Sequence, residues 1–529
     1  MATQVLTFGA RDRAEINPWV IAGTVMLATF MEVLDTSVAN VALPHIAGSL
    51  SASVDEATWV LTAYLVANAI VLPLSGWFSS LFGRKRFYMT CVALFTVSST
   101  LCGLAPSLSM LVFFRVLQGL GGGALQPVSQ AILRETFPRE KQGMAMAVYG
   151  MGVVFAPVVG PTLGGWITDN FTWRWIFLIN IPVGICSLLF TSVLIFDPPY
   201  LLRRSLRGSR IDYIGLGLLA TGLASLEIML DEGQKNDWFS SHGIVIAAII
   251  AVLALVSVVV WEFKQRDPVV DFHLLKERNF AISTMTMFIL GFVLYGSTMA
   301  MPLFLQTLLG YTATQSGLAL SPGGLAIMIM MPLVGFLLSK YEARWLVIFG
   351  LLVSAYGLYD MSRFNLQVDF RHAVMARIVQ SLGLAFLFVP INTTAFYFIA
   401  RENTSYATGL INLARNMGGS TGIALSTTLI ARREQFHQAR LVEHLSSGDP
   451  SYQAMLESTK QLFMSKGADA VHAMQQARGV VYSMLQQQAS MLAFLDDFRL
   501  LAYAFVAVIP LMFLMKKTRA GRGPAGSIH

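Results

Sequence analysis

Long apolar segments are the feature that most constrains the fold of this 529-residue chain. A helix needs roughly 20 mostly apolar residues to cross a bilayer, and about fourteen segments reach that length. They begin near Trp19, Trp59, Phe87, Ser109, Met144, Trp173, Ile211, Gly243, Phe280, Gln315, Ala343, Val374, Ala407 and Arg499. The segments are too long for strands and lack strict alternation, whereas helices satisfy their own backbone polar groups in hydrocarbon. The sequence therefore predicts an all-α polytopic membrane protein with fourteen transmembrane helices.

Composition supports this prediction and excludes several classes of protein. Only 13% of the residues are charged, compared with about 25% in a soluble domain. Cys91, Cys102 and Cys186 all lie in apolar segments and have no metal-ligand spacing. The chain lacks a Walker phosphate loop and a His-Glu-x-x-His motif. It also lacks a Gly-x-Ser-x-Gly nucleophile elbow, because the match at 418–422 lies within an apolar span and not at a strand-to-helix turn. We therefore expect a protein that is not an enzyme and that has no cofactor and no metal site.

The distribution of Lys and Arg predicts the orientation. With the N-terminus in the cytoplasm, about 23 of the 37 basic residues fall in cytoplasmic segments and about 4 in the short outer loops. This bias predicts an inner-membrane protein with both termini in the cytoplasm. It also explains the net charge of +7 without nucleic acid as a partner.

Two echoes within the chain indicate an internal duplication. Residues 115–121 (Arg-Val-Leu-Gln-Gly-Leu-Gly) resemble residues 377–383 (Arg-Ile-Val-Gln-Ser-Leu-Gly), and Gly76 and Gly335 each precede a basic turn. The offsets are nearly constant, which predicts two six-helix bundles with two inserted helices. Parallel halves of this kind are typical of the major facilitator architecture, with the substrate between them near the midplane.

The predicted organisation follows from these boundaries. It comprises a cytoplasmic N-terminus (1–17), a first bundle (18–197), two inserted helices with linkers (198–279), a second bundle (280–515) that includes a long periplasmic loop (432–498), and a cytoplasmic basic tail (516–529). The 432–498 segment is polar, rich in Gln and Ser, and helix-permissive. It is either a solvated loop or a docking surface for a periplasmic partner.

Ionisable residues within the first and fourth spans are the candidates for proton coupling. Asp35 and Glu32 are three residues apart and share roughly one helix face. A carboxylate at bilayer depth is costly and normally faces a cavity or a partner. Arg115 cannot readily deprotonate, so it must find acceptors or an acid. We expect these residues to line a water-accessible crevice, although structural roles for each stay open.

Three other ionisable residues are weaker candidates. Arg377 and Arg415 lie near predicted span ends, where snorkelling to the interface competes with a buried role. Glu227 lies near the outer end of the seventh span, where we expect solvation at the interface.

Two glycine-containing patterns indicate segments that bend or close during a conformational change. In the fifth span, small residues at i and i+4 allow close approach of another helix, and prolines favour a bend; the residues are Gly150, Pro157, Gly160, Pro161 and Gly164. Between the second and third spans, a basic turn is either topogenic charge or a latch that closes an inner gate; the residues are Gly76, Gly83, Arg84 and Arg86.

These motifs together resemble those of the fourteen-span drug:proton antiporters of the major facilitator superfamily, of the EmrB or QacA type and most closely the EmrB type. The resemblance covers nearly the whole chain and rests on seven stretches: 34–44, 59–64, 115–119, 150–165, 173–184, 302–311 and 415–419. It implies proton coupling by Asp35 and Arg115, an antiporter bend in the fifth span and an inner gate loop at 76–86. Ser80 stands where the superfamily gate motif normally has an acid, which puts a charge relay there in doubt.

The resemblance also implies a function and partners. The expected function is proton-coupled export of hydrophobic or amphipathic drugs, together with a periplasmic adaptor and an outer-membrane channel. The sequence leaves open a dedicated exporter of one endogenous metabolite, such as a siderophore or an antibiotic. An uptake symporter fits the fifth-span pattern less well. A membrane enzyme or scaffold is less consistent with the missing catalytic motifs and the embedded Asp35 and Arg115.

Overall fold

The computed structural model describes residues 17–197, 212–265, 268–443, 445 and 448–518. Most of the predicted N-terminal segment, the basic cluster at 203–210 and the end of the basic tail lie outside these residues. Within the described part, the chain forms helices and their connections, as the apolar segments predict.

A helix lies at each of the fourteen predicted spans, and we number the helices accordingly. They are α1 (Pro18–Ser49), α2 (Trp59–Phe82), α3 (Arg84–Leu104), α4 (Leu108–Thr136), α5 (Arg139–Asn170), α6 (Trp175–Leu194), α7 (Tyr213–Glu232), α8 (His242–Glu262), α9 (Arg278–Leu308), α10 (Ala313–Leu337), α11 (Ala343–Met361), α12 (Phe370–Ala395), α13 (Thr404–Val442) and α14 (Ala470–Phe513). Short breaks interrupt α4 after Gly122 and α6 after Leu178.

Ten helices in the described residues are long and apolar enough to cross a membrane, and an eleventh span is the bent α5. The remaining three helices, α11, α13 and α14, correspond to predicted spans but are not among these ten. Together the helices are consistent with fourteen spans.

Side-chain caps explain why several helices begin where they do. The Asn17 side chain accepts a hydrogen bond from the Trp19 N–H, and Pro18 occupies the first turn of α1, where a missing N–H costs nothing. Thr312 and Gln315 form a reciprocal capping box at the start of α10. These local signals fix helix starts at short connections, which keeps consecutive helices adjacent.

The helices pack in two groups with a pair between them. Helices α1–α6, here the first bundle, contact one another, as do α9–α14, the second bundle. Helices α7 and α8 pack together, and α7 also contacts α2 and α13. The bundles meet mainly where α2 contacts α13 and α5 contacts α10.

Most of the 432–498 segment is helical, as its helix-permissive composition allows. Helix α13 continues to Val442, a connecting helix spans Pro450–Ser465, and α14 begins at Ala470. Leu456 of the connecting helix packs with Ala477 and Val481 of α14 in a small separate core. We call the part of these three elements that lies within 432–498 the helical hairpin.

Candidate proton-coupling site and gate

The Asp35 carboxylate on α1 is held by donors from three other positions in the first bundle. Arg115 Nη1 lies 2.5 Å from Oδ2, while Gln118 Nε2 (2.9 Å) and Asn180 Nδ2 (2.7 Å) donate to Oδ1. Arg115 Nε donates to the Val60 carbonyl at 2.9 Å. Helices α1, α2, α4 and α6 therefore converge on one ion pair.

This ion pair is sealed from water, unlike the crevice that the sequence predicts. Asp35 is 2% exposed and Arg115 is 0% exposed. The guanidinium lies 4.4 Å from the centroid of the Tyr64 ring, which covers it. The partners of both charges belong to the first bundle, so the pair fastens that bundle internally.

Glu32, one turn earlier on α1, occupies a different position. Its carboxyl accepts hydrogen bonds from Tyr64 (3.2 Å), Asn68 (3.2 Å) and Gln126 Nε2 (2.7 Å). The same Gln126 accepts a hydrogen bond from Arg415 on α13. Glu32 is 4% exposed, and through one amide it is linked to a cation of the second bundle. It is therefore the candidate carboxyl at the junction of the two bundles.

The predicted bend lies in α5, whose segments Lys141–Pro157 and Thr162–Asn170 meet at 41°. A Cβ added at Gly164 would lie 3.0 Å from Val38 of α1, and one at Gly150 would lie 2.8 Å from Met331 of α10. Gly160 contacts Ser37 of α1, two residues from Asp35. The glycines of α5 thus bring it against α1 on one side and against the second bundle on the other. The Pro161 side chain is outside the described set.

The gate residues lie where the two bundles touch. This contact is at the same end of the bundles as Gly83, and we call it the Gly83 end. Gly83 has φ +82°, a conformation that favours glycine, and it joins α2 directly to α3. A Cβ at Gly76 would lie 2.7 Å from the backbone of Tyr406 on α13. Close backbone contact between the bundles therefore requires glycine at this position.

A buried arginine ties the same end together. Arg84 pairs with Glu135 of α4 and donates to Ser405 Oγ of α13 at 2.9 Å. Glu135 therefore supplies the acid near Arg84, while Ser80 contacts the Tyr406 hydroxyl at 3.4 Å. Arg86, which the sequence groups with Arg84, is exposed. Only Arg84 of these two arginines reaches across the bundle contact.

A second arginine, which sequence reasoning missed, also bridges the bundles at this end. Arg134 of α4 donates to the Asn392 carbonyl of α12 at 2.9 Å, and its guanidinium lies 3.5 Å from the centroid of the Phe396 ring. The structure is thus closed at the Gly83 end.

Comparisons with known proteins agree with this architecture. Residues 25–431 match the profile of the Major Facilitator Superfamily. The chain is 36% identical over 511 residues to the multidrug export protein EmrB of Escherichia coli K12, covering 95% of this chain and 96% of that protein. It is 37% identical over 493 residues to the fatty acid resistance protein FarB of Neisseria gonorrhoeae, covering 93% and 94%.

The chain belongs to the Major Facilitator Superfamily. The resemblance inferred from the sequence motifs is confirmed, and so is the major facilitator fold. The crystal structure of the human organic anion transporter MFSD10 superposes with a TM-score of 0.60 at 12% identity, covering 94% of this chain and 100% of that one, which shows the shared fold. As a superfamily member with many apolar helices, the protein is a multi-pass membrane protein.

The three weaker candidates from the sequence, Arg377, Arg415 and Glu227, are more deeply buried than expected. Arg377 and Arg415 do not snorkel, because both are buried and bonded to groups within the helices. Glu227 is 4% exposed rather than solvated, and its carboxyl accepts a hydrogen bond from Ser420 of α13 at 3.0 Å. The inserted α7 is therefore attached to the second bundle through a buried acid.

Several residues of the site lacked a usable sequence signal. Gln126 and Glu135 become important only because the second half of α4 lies between the bundles. Asn180 did belong to a motif behind the resemblance, and its polar side chain within an apolar run was a signal that it serves a buried partner.

Proposed function

We propose that this protein is a proton-coupled antiporter that exports hydrophobic or amphipathic drugs and toxic compounds. The observation that carries the proposal is the position of Glu32, a buried carboxyl linked through Gln126 to Arg415 across the bundle junction. Similarity over nearly the whole chain to proteins named for multidrug export and for fatty acid resistance supports the substrate class.

The mechanism follows from the cost of burying charge. In the closed arrangement, the Gln126 hydrogen bond and nearby Arg415 favour the charged form of Glu32, whereas its burial favours the neutral form. When the bundles part at the Gly83 end, Arg415 moves away with the second bundle and Glu32 meets a different environment. A carboxyl that alternates between a cation and an opened crevice takes up a proton in one state and releases it in the other.

Asp35 and Arg115 have a supporting role in the same cycle. Their ion pair fixes α1 against α4, so the pair positions Glu32 relative to Gln126. The bend in α5 and the close contacts of Gly150, Gly160 and Gly164 let the bundles rock against each other. Arg84 and Gly76 close the inner gate in this cycle.

We place the protein in the cell inner membrane with both termini in the cytoplasm, on the basis of the Lys and Arg bias. The Gly83 end then faces the cytoplasm, and the helical hairpin projects into the periplasm. The part of α14 from Ala470 to Met491 extends about 33 Å at 1.5 Å per residue. Such a projection is suited to a periplasmic adaptor and, through it, an outer-membrane channel. Transport, not catalysis, is the activity.

The test uses the full chain in proteoliposomes loaded with a fluorescent amphipathic dye. An imposed pH gradient is expected to drive dye movement against its concentration gradient, and collapse of the gradient with nigericin in potassium buffer is expected to stop it. Dye movement that is unchanged by nigericin would overturn the antiporter proposal.

A further inference from the structure

The second bundle repeats the buried arginine of the first bundle but not its carboxylate. Arg377 Nη1 donates to Ser297 Oγ (3.1 Å) and to Gln380 Oε1 (2.8 Å), and Gln380 Nε2 donates to the same Ser297 (2.8 Å). Asp35 receives the equivalent bonds from Arg115 and Gln118. Ser297 precedes Arg377 by 80 residues, and Asp35 precedes Arg115 by 80.

Arg377 therefore has a buried charge without a buried countercharge. Among the described residues it takes part in no ion pair, and its acceptors are the neutral groups Ser297, Thr298 (2.8 Å) and Gln380. Its Nε has no hydrogen-bond partner. Arg377 is 6% exposed, whereas the paired Arg115 is fully enclosed.

A guanidinium in this position favours an anion. Burying an isolated charge is costly unless an opposite charge and hydrogen bonds compensate for it. The planar guanidinium matches a carboxylate, whose two oxygens can each accept a bond. The Thr298 hydroxyl and the Gln380 amide beside Arg377 can donate further hydrogen bonds.

We propose that Arg377, with Ser297, Thr298 and Gln380, binds the carboxylate of amphipathic acid substrates, such as medium-chain fatty acids. The inference rests on the proposed export function and names one substrate class for it. Ser297 stands where the first bundle has its own carboxylate, so the bound acid completes in the second bundle the pair that Asp35 completes in the first.

The test replaces the missing carboxylate by one that belongs to the chain. Ser297→Asp is expected to pair with Arg377 as Asp35 pairs with Arg115, so the variant has a precedent in the same fold. Binding of laurate to the purified full chain is measured by isothermal titration calorimetry. Ser297→Asp and Arg377→Gln are each expected to weaken laurate binding by about ten- to hundredfold, the range for losing a charge-assisted contact.

Two controls separate the site from general effects. Thr307→Asp adds the same charge to an exposed position on the same helix, near its end, and is expected to leave laurate binding unchanged. Dodecylamine has the same tail as laurate but a cationic head. Its binding affinity is expected to be the same for the native chain and for Arg377→Gln. Equal weakening of laurate and dodecylamine binding in Arg377→Gln would overturn the carboxylate assignment.

The outcomes also distinguish this inference from the proposed function. The native chain could export a cationic dye in response to the pH gradient without binding laurate. That result would contradict the Arg377 site and leave the antiporter proposal standing. Conversely, laurate binding could depend on Arg377 although the chain shows no gradient-driven export. That result would support the Arg377 site and contradict the antiporter proposal.

Discussion

The Glu32 carboxyl of α1 and the Arg415 guanidinium of α13 bind opposite ends of the Gln126 side-chain amide. The amide nitrogen of Gln126 donates a hydrogen bond to the Glu32 carboxyl at 2.7 Å, and the amide oxygen of Gln126 accepts one from Arg415. One amide therefore orders an acid of the first bundle and a cation of the second. Separation of the bundles must break this link, which connects the protonation of Glu32 to the closure of the Gly83 end.

Glu32→Gln is expected to abolish export driven by a pH gradient and to retain exchange of substrate for substrate without a gradient. The amide keeps the size of the side chain but cannot carry a proton through the cycle. Proteoliposome assays with and without an imposed gradient measure both activities. Glu457→Gln, an exposed position on the connecting helix, is the matched control and should export normally. Gradient-driven export by Glu32→Gln at the native rate would remove Glu32 from coupling.

Asp35→Asn is expected to destabilise the first bundle and to stop gradient-driven export, because it leaves Arg115 buried without a countercharge. Breaking one side of a buried ion pair typically costs about 3–5 kcal/mol. The double variant Asp35→Asn with Arg115→Gln should recover most of the lost thermal stability, measured as the unfolding temperature in detergent. A double variant no more stable than Asp35→Asn alone would contradict the pairing.

Gly76→Ala is expected to hold the Gly83 end apart, because the added Cβ would lie 2.7 Å from the backbone of Tyr406. Spin labels at the exposed positions 141 and 339, beside the contact of Gly143 with Gly335, would report a longer distance in this variant. Gly23 has open space around it, so Gly23→Ala should leave the distance unchanged. An unchanged distance in Gly76→Ala would show that the contact is not required for closure.

Arg84→Ala and Arg86→Ala are expected to differ, although the two residues are neighbours in one basic turn. Arg84→Ala removes the bonds to Glu135 and Ser405 and leaves the acid without its cation, so export should fall at least tenfold. Arg86 is exposed, and its loss should change export by about twofold or less. Initial rates of dye export for the two variants decide the point. Equal losses would favour topogenic charge over a latch.

Leu456→Asp is expected to disrupt the helical hairpin while sparing transport in proteoliposomes. The substitution places a charge in the small core with Ala477 and Val481, which lies away from the bundles. Drug resistance of cells should then fall if the hairpin docks an adaptor. Ser458→Asp, exposed on the same helix, is the matched control. Native resistance in a Leu456→Asp strain would argue against docking by this segment.

Sequence reasoning went furthest where hydrophobicity alone decides the structure. Apolar length predicted a helix at each of the fourteen positions, because a bilayer imposes both the length and the internal hydrogen bonding. Residues 115–121 and 377–383 revealed the duplication. The same reasoning misread Glu227 and Arg377 because the depth of a residue in the membrane was judged from uncertain span ends.

The sequence by itself determined the membrane class, the all-helical major facilitator fold and the presence of Asp35, Glu32 and Arg115 within the apolar helices. Only the tertiary structure decided which acid faces which bundle: Asp35 closes inward on Arg115, and Glu32 reaches Arg415 through Gln126. The physical reason is that residues three apart on a helix differ in direction by roughly 60°. That rotation separates the interior of one bundle from the junction of two, and it depends on helix packing that hydrophobicity does not specify.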